Sequence, residues 1–242
     1  MHKSILINRK ANTRQNYNKT NNDYWKKYNF NKKNLIKKIL KFNDKFKFNF
    51  YEKEHFNHTR DILALSLSLF KDNKKIIKVL DFGSNPLTIS NLNNKINTKK
   101  FKFVIFDPFS NKINNKKINI KNVKYSLVNN LNKIYKSEFE VMHFASSIQY
   151  QENFIKNLNR FRLNRTKIII FTHTPFSLGK TYLSRQTNHT NLIQTVYSLK
   201  QLILKLKKIK FNLIFKSRNN DKYIACQNKK FKSFSLNLVF KK

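Results

Sequence analysis

Apolar residues recur along this chain with two periods, and the change from one to the other divides it. Residues 1–22 follow neither; they are polar and basic and predict a flexible arm. After Tyr24 and Trp25, Leu35, Ile36, Ile39, Leu40 and Phe42 fall at helical spacing, predicting an amphipathic helix with a lysine-rich outer face. Phe46, Phe48 and Phe50 alternate with polar residues and, with Tyr51, predict a short extended segment. "HTRDILALSLSLFKDN" predicts a mostly buried helix ending at Asp72 and Asn73. From there the apolar runs become short and continuous. "KIIKVLDFG" is a first strand, residues 101–106 a second, "NVKYSLV" a weaker third, "FEVMHFAS" a fourth and "TKIIIFTHTPF" a fifth. Helices are expected over 88–95, in "YQENFIKNLNRF" and in "LIQTVYSLKQLILKLKKI", with a helical or looping segment at "NNLNKIYKS". A polar insertion covers 177–191, and "FNLIFKSR", a shorter "YIACQ" and "SFSLNLVFKK" close the chain.

Continuous apolar strands separated by helices predict a mostly parallel α/β sheet covered on both faces. The strands in direct succession at the end predict an antiparallel edge strand. The expected organisation is a basic arm over 1–22, a helical extension over 23–75 and an α/β domain over 76–242.

In an open parallel sheet, ligands bind beyond the carboxyl ends of the strands. Polar residues gather there. The first strand ends in Asp81, Phe82, Gly83, Ser84 and Asn85, and the second in Asp107 and Pro108. The fourth ends in His143, Phe144, Ala145, Ser146 and Ser147, followed by Gln149 and Tyr150; the fifth ends in Thr172, His173, Thr174 and Pro175. An acid at the end of the second strand, two dozen positions after Gly83, suits a ribose, whose two hydroxyls it can accept. Asp-Pro alone also starts turns. Asp81 suits a charged ligand group, or the capping of the next helix. Neither G-x-G-x-x-G nor a lysine-containing phosphate loop is present, and Pro86 removes an amide donor that a pyrophosphate would use. A nucleoside ligand without a pyrophosphate, such as S-adenosylmethionine, fits better than NAD or ATP.

Composition changes how the missing glycines are read. The chain has 2 Gly and 3 Pro, and Lys, Asn, Ile and Phe are heavily used, the preference an AT-rich genome imposes. A glycine-poor loop is then a weak sign of lost function. The same preference bears on charge: 51 Lys and Arg against 12 Asp and Glu give a formal +39, spread along the whole chain. Such an excess suits a polyanionic partner such as nucleic acid, yet no recognisable RNA module or zinc finger accompanies it. One cysteine, Cys226, excludes an internal disulfide and a cysteine-rich metal site. No carboxylate-and-histidine spacing suggests a metal. No apolar run approaches the roughly 18 residues of a membrane span, and the N-terminal apolar core is too short for a secretory signal; a cytoplasmic protein is expected.

"VLDFGS", with "FDP" further on, resembles the first two motifs of class I S-adenosylmethionine-dependent methyltransferases. "HFASSIQY" followed by a helix, "IIIFTHTPF" and the later Gln186 resemble a bacterial methyltransferase family often associated with surface-polysaccharide gene clusters. The first motif of that family reads close to L-D-F-G-G-S-L-G. Leu80, Asp81, Phe82 and Gly83 match it, while Ser84, Asn85, Pro86 and Leu87 depart from it. "DYWKKY" and "FYEKEHFNHTRD" resemble its N-terminal region, so the likeness runs from about residue 23 to the end; "FASSIQY" is its most specific part. Leu87 stands where a glycine normally lets the backbone approach the cofactor.

The resemblance implies a Rossmann-like class I methyltransferase fold, with a mostly parallel seven-stranded sheet and an antiparallel edge strand. The cofactor would be S-adenosylmethionine, held by Asp81, Phe82, Gly83, Ser84, Asn85, Asp107 and Phe144. The acceptor, a small molecule or glycan, would meet Ser146, Ser147, Gln149, Tyr150, Thr174 and Gln186. A hydroxyl acceptor needs a base, and His173 and His143 are the candidates, although a lone histidine in an apolar setting is more often structural. Three function classes fit these residues: a small-molecule or glycan methyltransferase, a basic nucleic-acid-binding protein or RNA methyltransferase, and a non-catalytic Rossmann-like protein.

Overall fold

The structure, a computed structural model, describes residues 61–70, 76–84, 92, 100–107, 118–120, 123–185, 193–219 and 232–242. The arm, the first amphipathic helix, the extended segment around Phe48 and "YIACQ" lie outside them, as does the expected helix over 88–95 apart from the buried Leu92.

Among the described residues there are ten strands: β1 (Ile77–Phe82), β2 (Phe101–Phe106), β3 (Ile118–Ile120), β4 (Val123–Val128), β5 (Val141–Ala145), β6 (Ile168–Ser177), β7 (Tyr182–Arg185), β8 (Ile193–Ser198), β9 (Asn212–Asn219) and β10 (Ser233–Lys241). The main sheet runs β3-β4-β2-β1-β5-β6-β10-β9. The pairs β4–β2, β2–β1, β1–β5 and β5–β6 are parallel. β10 is antiparallel to both β6 and β9, one place in from the edge. β3 is antiparallel to β4 at the other edge. The mostly parallel sheet with an antiparallel edge strand is therefore present. Its seven expected strands are joined by β3 and by the β7–β8 hairpin, whose β8 runs parallel to the end of β6.

Each central strand buries both faces, which is why its sequence is a continuous apolar run. Leu80, Phe82, Val104, Phe106, Met142, Phe144, Ile169 and Phe171 fill one core. That core is closed by α2 (Leu131–Tyr135), α3 (Phe154–Asn157) and α4 (Leu199–Lys208). Ile77, Val79, Phe103, Ile105, Val141, Ile168 and Ile170 fill the other, under Ile62, Leu63, Ala64 and Leu67 of helix α1, residues 61–68.

Three segments differ from their sequence pattern. "YQENFIKNLNRF" forms α3 flanked by 3-10 turns at Ile148–Tyr150 and Leu158–Arg160 instead of one helix, because Asn153 turns through the left-handed region at φ 56°. The first third of "LIQTVYSLKQLILKLKKI" is strand β8. Its β-branched and aromatic residues are buried on both faces, and the Ser198 side chain caps the helix that follows. The polar insertion contributes strand β7.

Candidate functional site

β1 leads on one side to β2 and β4 and on the other to β5 and β6. The order of the sheet therefore reverses between β1 and β5, the place beyond whose carboxyl ends an open α/β sheet binds its ligand. Three neighbouring chain segments pass through the left-handed region at this end of the sheet: Gly83 at φ 78°, Ser146 at φ 45° and His173 at φ 48°. Two of them are not glycine, and such residues gather where a site over-determines the backbone. Successive strand ends are tied together by Gly83 N donating to Phe106 O (2.9 Å), Asp107 N to Val128 O (3.0 Å) and Ser146 N to Thr172 O (2.8 Å).

At Gly83 a side chain has neither a comfortable φ nor room. A Cβ would lie 2.3 Å from Ser147 Cβ. The loop after β1 thus packs directly on the loop after β5, and Gly83, Ser84, Ser146 and Ser147 share one site. Ser84 Oγ and Ser147 Oγ are buried without a hydrogen-bond partner among the described residues. Gln149 is buried; its Nε2 donates to Ser146 Oγ (3.0 Å), and its Oε1 has no partner there. Asp107 closes β2 on the other side of β1, largely buried.

Asp81, His143 and Thr172 form a row across β1, β5 and β6. Asp81 is in direct register with His143, and its Oδ1 meets His143 Nδ1 at 2.8 Å. His143 Nε2 meets Thr172 Oγ1 at 2.8 Å. All three residues are fully buried. Asp81 Oδ2 has no partner among the described residues. Both ring nitrogens of His143 are therefore engaged within the protein, and neither is presented to an acceptor.

His173 sits on a β-bulge. Leu236 pairs with Thr174 and Leu238 with Phe171, so Asn237 alone faces Thr172 and His173. His173 N donates to Asn237 Oδ1 (2.9 Å). Asn237 also exchanges two hydrogen bonds with Asn219, donating to its Oδ1 (2.7 Å) and accepting from its Nδ2 (3.0 Å).

The structure brings Asp81, Gly83, Ser84, Ser146, Ser147 and Gln149 together at the carboxyl ends of β1 and β5. Asp107 closes the adjacent strand, Tyr150 the turn after Gln149, and His173 the bulge in β6. Phe82 and Phe144 are different: their rings lie in the aromatic core, 5.4 Å apart, with Phe82 4.5 Å from Phe106 and Phe144 stacked 5.3 Å from Phe171. Thr174 is fully buried and donates its hydroxyl to Thr172 O (3.0 Å). Asn85, Leu87 and Gln186 lie outside the described residues. Sequence reasoning placed Thr172 at a strand end without a role and missed Asn237 and Asn219. The signal for Asn237 was a polar residue inside the apolar run "SFSLNLVF"; a buried asparagine there had to satisfy a neighbouring backbone group.

No family model and no curated protein matches this sequence. Solved structures do resemble it. The 1,6-didemethyltoxoflavin-N1-methyltransferase of Burkholderia thailandensis, with 1,6-didemethyltoxoflavin and S-adenosylhomocysteine bound, superposes with a TM-score of 0.57 at 12% identity, covering 99% of this chain and 94% of its own. The magnesium protoporphyrin IX methyltransferase of Synechocystis PCC 6803, with S-adenosylhomocysteine bound, gives 0.57 at 10% identity, covering 91% and 97%. At such identities the likeness shows the fold alone, and it is the Rossmann-like fold of class I S-adenosylmethionine-dependent methyltransferases.

Proposed function

We propose that this chain is a cytoplasmic S-adenosylmethionine-dependent methyltransferase acting on a small-molecule or saccharide acceptor. The ends of β1 and β5 carry the reading: Gly83 turns where no side chain fits, and near it stands a buried carboxylate with one oxygen unpartnered among the described residues. The residues present fit the cofactor. Asp81 Oδ2 can only accept, which suits an α-ammonium, and the Ser84 and Ser147 hydroxyls can donate to an α-carboxylate. Asp107, at the end of the adjacent strand, suits the ribose hydroxyls. S-adenosylhomocysteine in the two structural neighbours is further support. The likeness of "HFASSIQY" to a family associated with surface-polysaccharide clusters supports a saccharide acceptor.

Bound S-adenosylmethionine supplies a methyl group already activated by its sulfonium, so what remains for the protein is alignment and removal of a proton. Ser146, Gln149, Tyr150 and the end of β6 are assigned to the acceptor side, and Gln186 to the acceptor by its likeness to that family. His173 takes the proton of a hydroxyl acceptor. His143, with both nitrogens occupied, is assigned a supporting role instead.

Calorimetry with S-adenosylmethionine and S-adenosylhomocysteine tests the reading. Saturable binding of both is expected. Folded protein that binds neither would leave a Rossmann-like protein without its ligand.

A further inference from the structure

Among the described residues, Asp81 Oδ1 is engaged and the buried Oδ2 has no partner. Of the described residues that follow β1, Gly83 has its N–H committed to Phe106 O. The grip comes from the sheet instead, from His143 on β5, itself fixed by Thr172 on β6.

We infer that His143 and Thr172 are positioning residues for cofactor recognition: they hold the Asp81 carboxylate so that Oδ2 accepts from the α-ammonium of the cofactor's amino-acid tail. The inference rests on the proposed function. An acceptor-only oxygen buried without a partner costs free energy that a native fold offsets through a ligand or a specific role. The imidazole determines which oxygen is left open. With Nδ1–H donating to Asp81 Oδ1, Nε2 of the neutral ring accepts the Thr172 hydroxyl proton, and a threonine on the neighbouring strand then sets the plane of the ring. Asp81 is in register with His143, and Thr172 lies two residues beyond Ile170, the partner of His143 on β6, so the imidazole bridges fixed positions on three strands and the sheet helps set the carboxylate's orientation. A loop with a single glycine can then still present its acid correctly.

The test compares S-adenosylhomocysteine with 5′-methylthioadenosine, which keeps the nucleoside and sulfur but lacks the amino-acid tail. His143→Leu removes the donor to Asp81 and should weaken S-adenosylhomocysteine about tenfold or more, the scale of a hydrogen bond to a charged group. Binding of 5′-methylthioadenosine should stay within about twofold. His143→Asn, whose amide can stand where Nδ1 stood, should restore much of the loss. Should His143→Leu fail to fold, Thr172→Val keeps the shape of the residue and should weaken S-adenosylhomocysteine selectively, by a smaller factor. Equal weakening of both ligands, or no change in either, overturns the inference while leaving the proposed function in place. Wild-type protein that binds neither ligand overturns both.

Discussion

Gly83 is one of two glycines in the chain, and its surroundings show why no other residue serves. Its φ of 78° and the 2.3 Å from a virtual Cβ to Ser147 both exclude a side chain. Gly83→Ala is expected to destabilise the fold by about 1–3 kcal/mol, through left-handed strain and overpacking. Urea denaturation measures it, and an unchanged midpoint would mean the two loops separate freely. Asp107→Ala is expected to lose roughly 1.5–3 kcal/mol of S-adenosylhomocysteine affinity, the range for hydrogen bonds to a charged acceptor. Calorimetry showing wild-type affinity in that variant would remove Asp107 from the ribose. At this scale the sequence placed Asp81, Gly83 and Asp107 at strand ends, where the structure also puts them. At Phe82 and Phe144 the rings lie in the core. Strand alternation puts those two rings on the face of Leu80 and Met142, away from Asp81 and His143, and the parity was there to be read.

Strand β6 explains more about the site than any single residue on it. Phe171 and Phe176 belong to the same core although an odd spacing should set them on opposite faces. The bulge at Thr172 and His173 absorbs the extra residue, and Asn237 satisfies the amide that the bulge frees. Asn237→Ala would leave His173 N and part of the Asn219 amide buried and unpaired, at about 1–3 kcal/mol for each such group. It should lower the denaturation midpoint and also slow turnover, with cofactor affinity kept. His173→Ala should slow turnover of a hydroxyl acceptor by about 10²-fold or more, again with cofactor affinity near wild type. Joint loss of turnover and cofactor binding in His173→Ala would make the residue structural. Single-chain patterns gave β1, β2 and β5 nearly to the residue, since buried parallel strands are marked by their own apolar runs. They could not give the bulge, which exists only against β10, more than sixty residues away. The strand at Ile193–Ser198 was hidden for a similar reason. Its residues continue the apolar pattern of α4, and only pairing with β6 and β7 makes them extended.

Across the whole molecule the question is whether +39 is a function or a by-product. The two acids assigned to the cofactor belong to a set of only 12 Asp and Glu, while lysine is spread over every part of the chain. A site built for a polyanion concentrates its cations; a composition drift spreads them. The two origins respond differently to salt. Diffuse attraction to phosphates depends on counterion release and falls steeply with ionic strength, by roughly 10³-fold or more between about 50 and 200 mM salt when several phosphates are neutralised. Contacts inside a buried crevice are screened far less. Single-stranded RNA is therefore expected to bind detectably at the low end of that range and to be lost at the high end, while S-adenosylhomocysteine affinity changes little across it. RNA that stayed bound at high salt, with a preference for one sequence or structure, would move the acceptor from saccharide or small molecule to RNA and make the charge part of the function.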